Sequence, residues 1–363
     1  MRITTIETLQ RGPLAVVRVG TDEGAVGIGQ AAPYEAETTV HVLHDLVAPF
    51  FLGRDVWDAE ALVDEYLRAT YKFPSSFLLR AVGGIETALW DIMARAAGEP
   101  VWRLLGGAAR TSVPVYASSM IRTISPDEEA ERIAALADEY GFRAAKIRVG
   151  DAMGRDRDAS PGRTESIIPR MREVLGNDFR LSADANGGYT AAEAIRVGRL
   201  LEQHGYAHFE EPCPFPMLSE TAAVTAALDI AVSGGEQDTS LPQFHRMVSE
   251  RVVDIIQPDV GYIGGVSRAR KVAVLAEMAG IPCTPHCANA SLLQVFSLHL
   301  AIAMPACIQP QEWSIETTSW TQGVFSPLPA VVGGEVVAPQ AAGWGVELES
   351  EYIRTASRRI STI

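Results

Sequence analysis

Residues 179–212, FRLSADANGGYTAAEAIRVGRLLEQHGYAHFEEP, hold one full period of the pattern on which the fold rests. Phe179–Asp184 reads as a strand closing on an acid, Asp184. Thr190–His204 is amphipathic at helical spacing, and Tyr206–Glu210 is a second strand closing on an acid, Glu210. A strand, a helix of this length and another strand make a βα unit in a parallel sheet.

The unit recurs on both sides. Val113–Ser118 and Arg143–Val149 precede it, and Ile230–Glu236, Val253–Asp259, Ile281–His286 and Cys307–Glu312 follow. Helical stretches separate them, such as Ser267–Ala279. Helix 126–140 is announced by Ser125-Pro126-Asp127-Glu128, an N-cap with Pro at the first position and acids in the first turn, and Gly141 stops it. Eight strands in about 200 residues favour a closed (β/α) barrel over an open doubly wound sheet. Neither a GxGxxG turn nor a P-loop is present.

Each strand ends on an ionisable residue: Lys146 and Arg148, then Asp184, Glu210, Glu236, Asp259, His286 and Glu312. From Asp184 onward the steps are 26, 26, 23, 27 and 26 residues, one βα unit each. Such spacing puts these side chains at one level around the C-terminal mouth, where barrels carry their active sites. A single charged strand end is ordinarily the first solvated loop residue; six in succession point to a site.

Residues 1–112 have another character. Ile3–Val19 and Ala25–Gly29 form a meander, followed by helices at Thr38–Val47, Ala59–Thr70 and Phe77–Ala97, the last closed by Gly98-Glu99-Pro100. This predicts an α+β module at 1–112, the barrel at 113–318 and a C-terminal segment at 319–363.

The 363 residues carry 31 Lys+Arg against 45 Asp+Glu, a net charge of −14, with 47% hydrophobic residues. This is a globular composition, and its acidity argues against nucleic acid as a partner. No apolar run is long enough to span a membrane, and Glu7 falls where a signal peptide needs its apolar core. A cytoplasmic protein without a membrane partner is expected. Cys213, Cys283, Cys287 and Cys307 lack a CxxC pair and read as buried free thiols.

Asp184, Glu210 and Glu236 would repel one another if ionised without a partner. A divalent cation resolves this, and an oxygen-only donor set favours a hard ion such as Mg²⁺. Lys146 and Arg148 share one strand face. Across from them, Asp259 could hydrogen-bond one imidazole nitrogen of His286 and raise its basicity.

Lys146-Ile147-Arg148, Asp184-Ala185-Asn186, Phe209-Glu210-Glu211-Pro212, Gly234-Gly235-Glu236, Gln257-Pro258-Asp259-Val260, Pro285-His286 and Glu312 together resemble the enolase superfamily, mandelate racemase subgroup. Ala88–Ile92 through Leu104–Gly107 resembles its interdomain join. The resemblance implies a (β/α)7β TIM-like barrel capped by an α+β domain built from the N-terminal region and the C-terminal segment. It implies one Mg²⁺ on Asp184, Glu210 and Glu236, abstraction of the proton α to a substrate carboxylate, an enediolate intermediate and an Asp259–His286 dyad. Lys146 and a protonated Glu312 would stabilise the developing charge. Ser118, Asn186 and Tyr34 join Lys146, Arg148 and Glu312 as substrate contacts, and a homo-oligomer is expected.

One departure bears on the reaction. The family usually has a second lysine where this chain has Arg148, and arginine cannot shuttle protons. Two-base racemisation is therefore disfavoured, and dehydration of an acid sugar is the expected reaction, with epimerisation or cycloisomerisation second. A Schiff-base lyase on Lys146 would leave the carboxylates without purpose, and an inactive binding homologue would not keep the ring intact. Specificity is expected from the loop around Tyr34, from Lys72–Phe77, and from the long 150–164 connection, whose arginines could grip a polyanion or merely be solvated.

Overall fold

The computed structural model describes residues 1–74 and 76–363; the loop expected at Lys72–Phe77 includes Ser75, which lies outside the described residues. Three N-terminal strands, β1 (Ile3–Arg11), β2 (Leu14–Thr21) and β3 (Val26–Ala31), form an antiparallel meander. The chain's last strand, β14 (Ser357–Thr362), adds to the outer side of β1, giving the order β14-β1-β2-β3.

Helices α1 (Ala36–Val42), α2 (Ala48–Phe51), α3 (Ala59–Ala69), α4 (Ser76–Ala97) and α5 (Val101–Leu104) follow. The helix expected at Thr38–Val47 instead widens into a π-type turn at Leu43–Val47. There His44 turns inward, within 2.9 Å of Thr8 Oγ1 and 2.8 Å of Ser361 Oγ.

The glycines of β3 bring α4 close to the sheet. A Cβ on Gly29 would lie 2.3 Å from the Gly84 carbonyl, and one on Gly27 would lie 2.3 Å from that of Ala88. With that approach, helix side chains cap the strand's free edge: Asp91 accepts from the Ile28 N–H at 2.9 Å and Thr87 Oγ1 from the Gln30 N–H at 3.3 Å. The open edge of β3 is thereby satisfied without another strand.

The parallel barrel strands are β4 (Ser112–Ser118), β5 (Ala144–Arg148), β6 (Arg180–Asp184), β7 (His208–Glu210), β8 (Ala231–Gly234), β9 (Ile255–Ile256) and β10 (Gln311–Ser314), in the order β10-β4-β5-β6-β7-β8-β9. Helices α6 (Pro126–Tyr140), α7 (Arg163–Leu175), α8 (Ala191–Gln203), α9 (Leu218–Ala227), α10 (Leu241–Ser249), α11 (Val266–Ala279) and α12 (Leu292–Ala303) surround them. Helix α6 starts as expected, in a capping box between Ser125 and Glu128, and ends at Gly141 with φ 78°.

The strand expected at Ile281–His286 is not a regular strand. It makes isolated parallel bridges, Ile256 with Cys283 and Asp259 with His286, because Pro282 and Pro285 lack the N–H groups a ladder needs. Its Cys283 N–H reaches the Ala306 carbonyl at 2.9 Å, linking β9 toward β10. Proline also moves the last strand. With Pro310 before it, β10 begins at Gln311, so Glu312 lies within the strand and not at its end.

Beyond the barrel, β12 (Glu335–Val337) pairs with the start of β4, β11 (Phe325–Ser326) pairs with β13 (Glu347–Leu348), and α13 (Ser350–Thr355) leads back to β14. Two carboxylates of α4 tie it to the rest of the chain, Glu86 to the barrel and Asp91 to the C-terminal segment. Glu86, fully buried, accepts from the Val266 and Ser267 N–H groups at the start of α11 and from Trp90 Nε1. Asp91 accepts from the Trp344 N–H at 2.9 Å. Every residue of α12 is buried, so this outer helix is itself enclosed by the rest of the chain. Among the described residues, no helix is long and apolar enough to cross a membrane.

Candidate active site

Strand register builds the centre. Arg148 pairs with Asp184 across β5–β6, and Asp184 with Glu210 across β6–β7, so these three share a level and face. Glu236 follows β8 after the Gly234-Gly235 turn, where Gly235 has φ 118°. Carboxylate oxygens of Asp184, Glu210 and Glu236 all lie within 4.8 Å of one another, and all three residues are buried.

Neighbours fix each acid. The Asn186 N–H donates to Asp184 Oδ1 at 2.7 Å, Gln257 Nε2 to Glu210 Oε2 at 2.7 Å, and Gln237 Nε2 to Glu236 Oε1 at 3.0 Å. Glu236 Oε2 is buried with no hydrogen-bond partner. Burial, with the nearby Glu210 charge, pushes the Glu236 carboxyl upward. Three converging buried carboxylates with one oxygen unfilled match the donor chemistry of a hard divalent cation.

Lys146 is fully buried beneath them, paired with Glu210, with Glu312 at 2.8 Å and with Asp184 at 3.6 Å. Burial alone would lower its pKa, but the Glu210 and Glu312 charges outweigh burial and raise it. These pairings favour the ammonium form over the free amine that a Schiff base requires. Arg148 pairs with Asp184 and also donates to the Ser119 carbonyl and to Asn186 Oδ1, both at 2.9 Å.

On the opposite wall His286 Nδ1 lies 2.7 Å from Asp259 Oδ2, while Asp259 Oδ1 accepts the Tyr262 N–H at 2.8 Å. The other ring nitrogen, Nε2, faces Glu236 at 3.4 Å and Glu312 at 3.9 Å. Burial disfavours the imidazolium, yet Glu236, Glu312 and Asp259 together push the His286 pKa up to about 10.

Glu312 corrects an expectation. Ser118 Oγ at 2.7 Å, the Cys287 N–H at 2.8 Å and Lys146 Nζ all donate to its carboxylate. Although burial opposes ionisation, Lys146 and His286 hold its pKa down to about 2. In this arrangement Glu312 is ionised and not protonated.

Tyr34 has a φ of 70° and packs edge-on against Trp320 at 6.5 Å between ring centres. Its pKa is raised by burial around the hydroxyl, and Cys287, Asp259, Arg148 and Arg80 all act on it. Much of the ring is exposed. In the 150–164 connection Arg157 is 76% exposed, whereas Arg163 is buried and donates to the Arg148 carbonyl at 2.8 Å. The connection is also pinned by Asp156, which accepts from the Thr190 N–H and hydroxyl.

Sequence reasoning missed several neighbours. Gln257 could have been found, since it precedes Asp259 by two and shares its face if the strand alternates. Arg122, donating to the Gly150 carbonyl and to Asn186 Oδ1, carried no signal. Nor did Arg80 on α4, whose guanidinium lies 3.8 Å above the Tyr262 ring, itself 6.0 Å from the His286 ring. The four cysteines are free and buried, as expected.

Residues 2–106 match the family described as the mandelate racemase / muconate lactonizing enzyme N-terminal domain, and residues 128–352 match the enolase C-terminal domain-like family. The chain is 30% identical over 346 residues to arabinonate dehydratase of Saccharolobus solfataricus, spanning 94% of this chain and 90% of that protein. A Roseobacter denitrificans structure, provisionally named a racemase, superposes with a TM-score of 0.97 at 46% identity over all of both chains. A mandelate racemase/muconate lactonizing protein from Paracoccus denitrificans, solved with magnesium, superposes with a TM-score of 0.90 at 28% identity over 99% of this chain and 98% of that one.

Proposed function

The chain belongs to the mandelate racemase / muconate lactonizing enzyme family of the enolase superfamily, and from that premise we propose that it is an Mg²⁺-dependent acid-sugar dehydratase. One observation carries the choice of reaction. Of the groups flanking the carboxylate triad, Arg148 is a guanidinium and Lys146 is buried in ion pairs with Glu210 and Glu312, whereas His286 has an acid, Asp259, on its far nitrogen and so stands as the proton carrier. One carrier suffices for elimination; inversion at carbon calls for one on each face.

Asp184, Glu210 and Glu236 would hold the metal. When bound, Mg²⁺ supplies Lewis-acid stabilisation of charge on the substrate carboxylate and offsets the Glu236 charge that keeps His286 protonated. The residues do the rest. Lys146 and Arg148 attract and orient the carboxylate, and Ser118 and Asn186 supply polar contacts beside them. Glu312, held by its donors, keeps Lys146 in place, and Tyr34 closes the mouth from the cap.

Asp259 fixes His286 with Nδ1 protonated, which leaves Nε2 to take the α-proton. The C–H electron pair moves onto the α-carbon and carboxylate. The β C–O bond then breaks, and the imidazolium gives its proton to the departing hydroxide, releasing water. The remaining enol tautomerises to a 2-keto-3-deoxy acid. Atoms balance as substrate minus water.

A second reading, isomerisation, is favoured by the name of the Roseobacter denitrificans structure. Incubating the Mg²⁺-loaded protein with a library of aldonates and aldarates separates the two. Dehydration yields a keto acid. Isomerisation yields no keto acid: in H₂O the product has the substrate's mass, and in D₂O it carries one deuterium at the α-carbon. Near-wild-type turnover by His286→Asn would remove the histidine from the mechanism altogether.

A further inference from the structure

Three cations succeed one another outward from β5. Lys146 and Arg148 share one face of β5, about 7 Å apart along the strand. Arg122, on the loop after β4, bonds to the Gly150 carbonyl and so lies further out, toward the rim. Their acid partners thin out in the same direction. Lys146 has Glu210 and Glu312, Arg148 has Asp184, and Arg122 has no carboxylate within ion-pair distance among the described residues.

Arg122 and Arg148 converge on one neutral atom, Asn186 Oδ1, each at 2.9 Å. Beneath them Arg163 is buried with Nη2 unpartnered. Burial, together with repulsion from Arg148 and Arg163, brings the Arg122 pKa down to about 10. Two guanidinium groups sharing a single amide oxygen have donors in excess, and the fork geometry of arginine matches a carboxylate. Of the loop arginines, Arg157 is exposed, donates to the Gly154 carbonyl and lies 3.8 Å from Asp151.

Building on the acid-sugar reading, we infer that Arg122 forms a second carboxylate subsite at the rim, beyond the carboxylate that Lys146 and Arg148 orient, so that the preferred substrate is a diacid sugar. One carboxylate sits at the triad and Lys146. The other end of the chain meets Arg122.

The test is calorimetric titration of the full-length, Mg²⁺-saturated protein with galactarate, a diacid, and galactonate, the corresponding monoacid. Wild-type protein is expected to bind galactarate about ten- to a hundredfold more tightly, the usual worth of one charge-assisted pair. Arg122→Gln removes that preference by weakening galactarate alone, and Arg122→Lys, which keeps charge but loses the fork, retains part of it. Equal binding of the two acids by the wild type, or no binding of either, overturns the subsite. So does an Arg122→Gln protein of unchanged melting temperature that keeps the preference. If a clear preference is found but no acid sugar is dehydrated, the subsite stands and the dehydratase reading falls.

Discussion

Asparagine and alanine at position 259 should reverse the usual ranking of variants. The two oxygens of Asp259 have different duties: Oδ1 accepts the Tyr262 N–H and Oδ2 holds His286 Nδ1. An asparagine must keep its carbonyl toward Tyr262, so its NH2 points at Nδ1. The ring is then forced to carry its proton on Nε2, the atom that has to accept one. General-base catalysis contributes about 10²–10⁴-fold, and Asp259→Asn should lose that much in kcat, with KM and Mg²⁺ affinity little changed because residue 259 is not among the triad. Asp259→Ala leaves the tautomer free and should be the more active of the two. Alanine also strands the buried Tyr262 N–H, a loss of about 1–3 kcal/mol, so it should be the less stable. Steady-state keto-acid kinetics and calorimetric melting of both proteins check the crossover. Asp259→Asn within threefold of wild-type kcat, or Asp259→Ala slower than Asp259→Asn, would refute the dyad.

Four other outcomes are expected. His299 accepts the Trp102 N–H on Nδ1 and lies 3.0 Å from the Trp344 carbonyl on Nε2, and burial lowers its pKa from 6.5 to about 4. The unfolded chain therefore binds the proton first, and about 3 kcal/mol of stability should drain away as pH falls from 6.5 to about 4; urea titrations of the wild type and His299→Gln will show whether that slope belongs to this ring. Glu86→Ala strands donors on α11 and Trp90, and at about 4 kcal/mol the melting temperature should fall by about 5 °C for a chain of 363 residues; a change under 1 °C would mean cap and barrel do not depend on this link. Mg²⁺ at a hundred times its Kd should stabilise the wild type by about 2.7 kcal/mol, and Glu236→Gln should blunt that gain and abolish turnover, as thermal shift and kinetic assays can establish. Gly29→Ala should disrupt cap packing, since its Cβ would meet the Gly84 carbonyl at 2.3 Å; a soluble variant with unchanged melting would contradict the close approach.

Regular elements were the most legible. The capping box at Ser125 and the stop at Gly141 appear where the residues put them, because helix ends are decided by groups within a few residues. The barrel strands failed where proline intervened. The segment at 281–286 is reduced to bridges around Pro282 and Pro285, and β10 waits until Pro310 has passed. Those prolines are visible in the sequence, but an apolar pattern does not tell which N–H groups a ladder needs.

At the mouth, sequence by itself determined which ionisable groups gather there: Lys146, Arg148, Asp184, Glu210, Glu236, Asp259, His286 and Glu312. A βα unit has a nearly constant length, so equal spacing along the chain becomes equal position around the barrel. Their protonation states were decided only by tertiary structure. Glu312 is an ionised acceptor and not a neutral acid, since Ser118, Lys146 and the Cys287 N–H meet it from three separate segments. Arg122 is brought beside Asn186 for the same reason, through contacts with Gly150 and Asn186 that lie 28 and 64 residues away. Charge state depends on distance through space and on exclusion of water, and neither is written in the local pattern of residues.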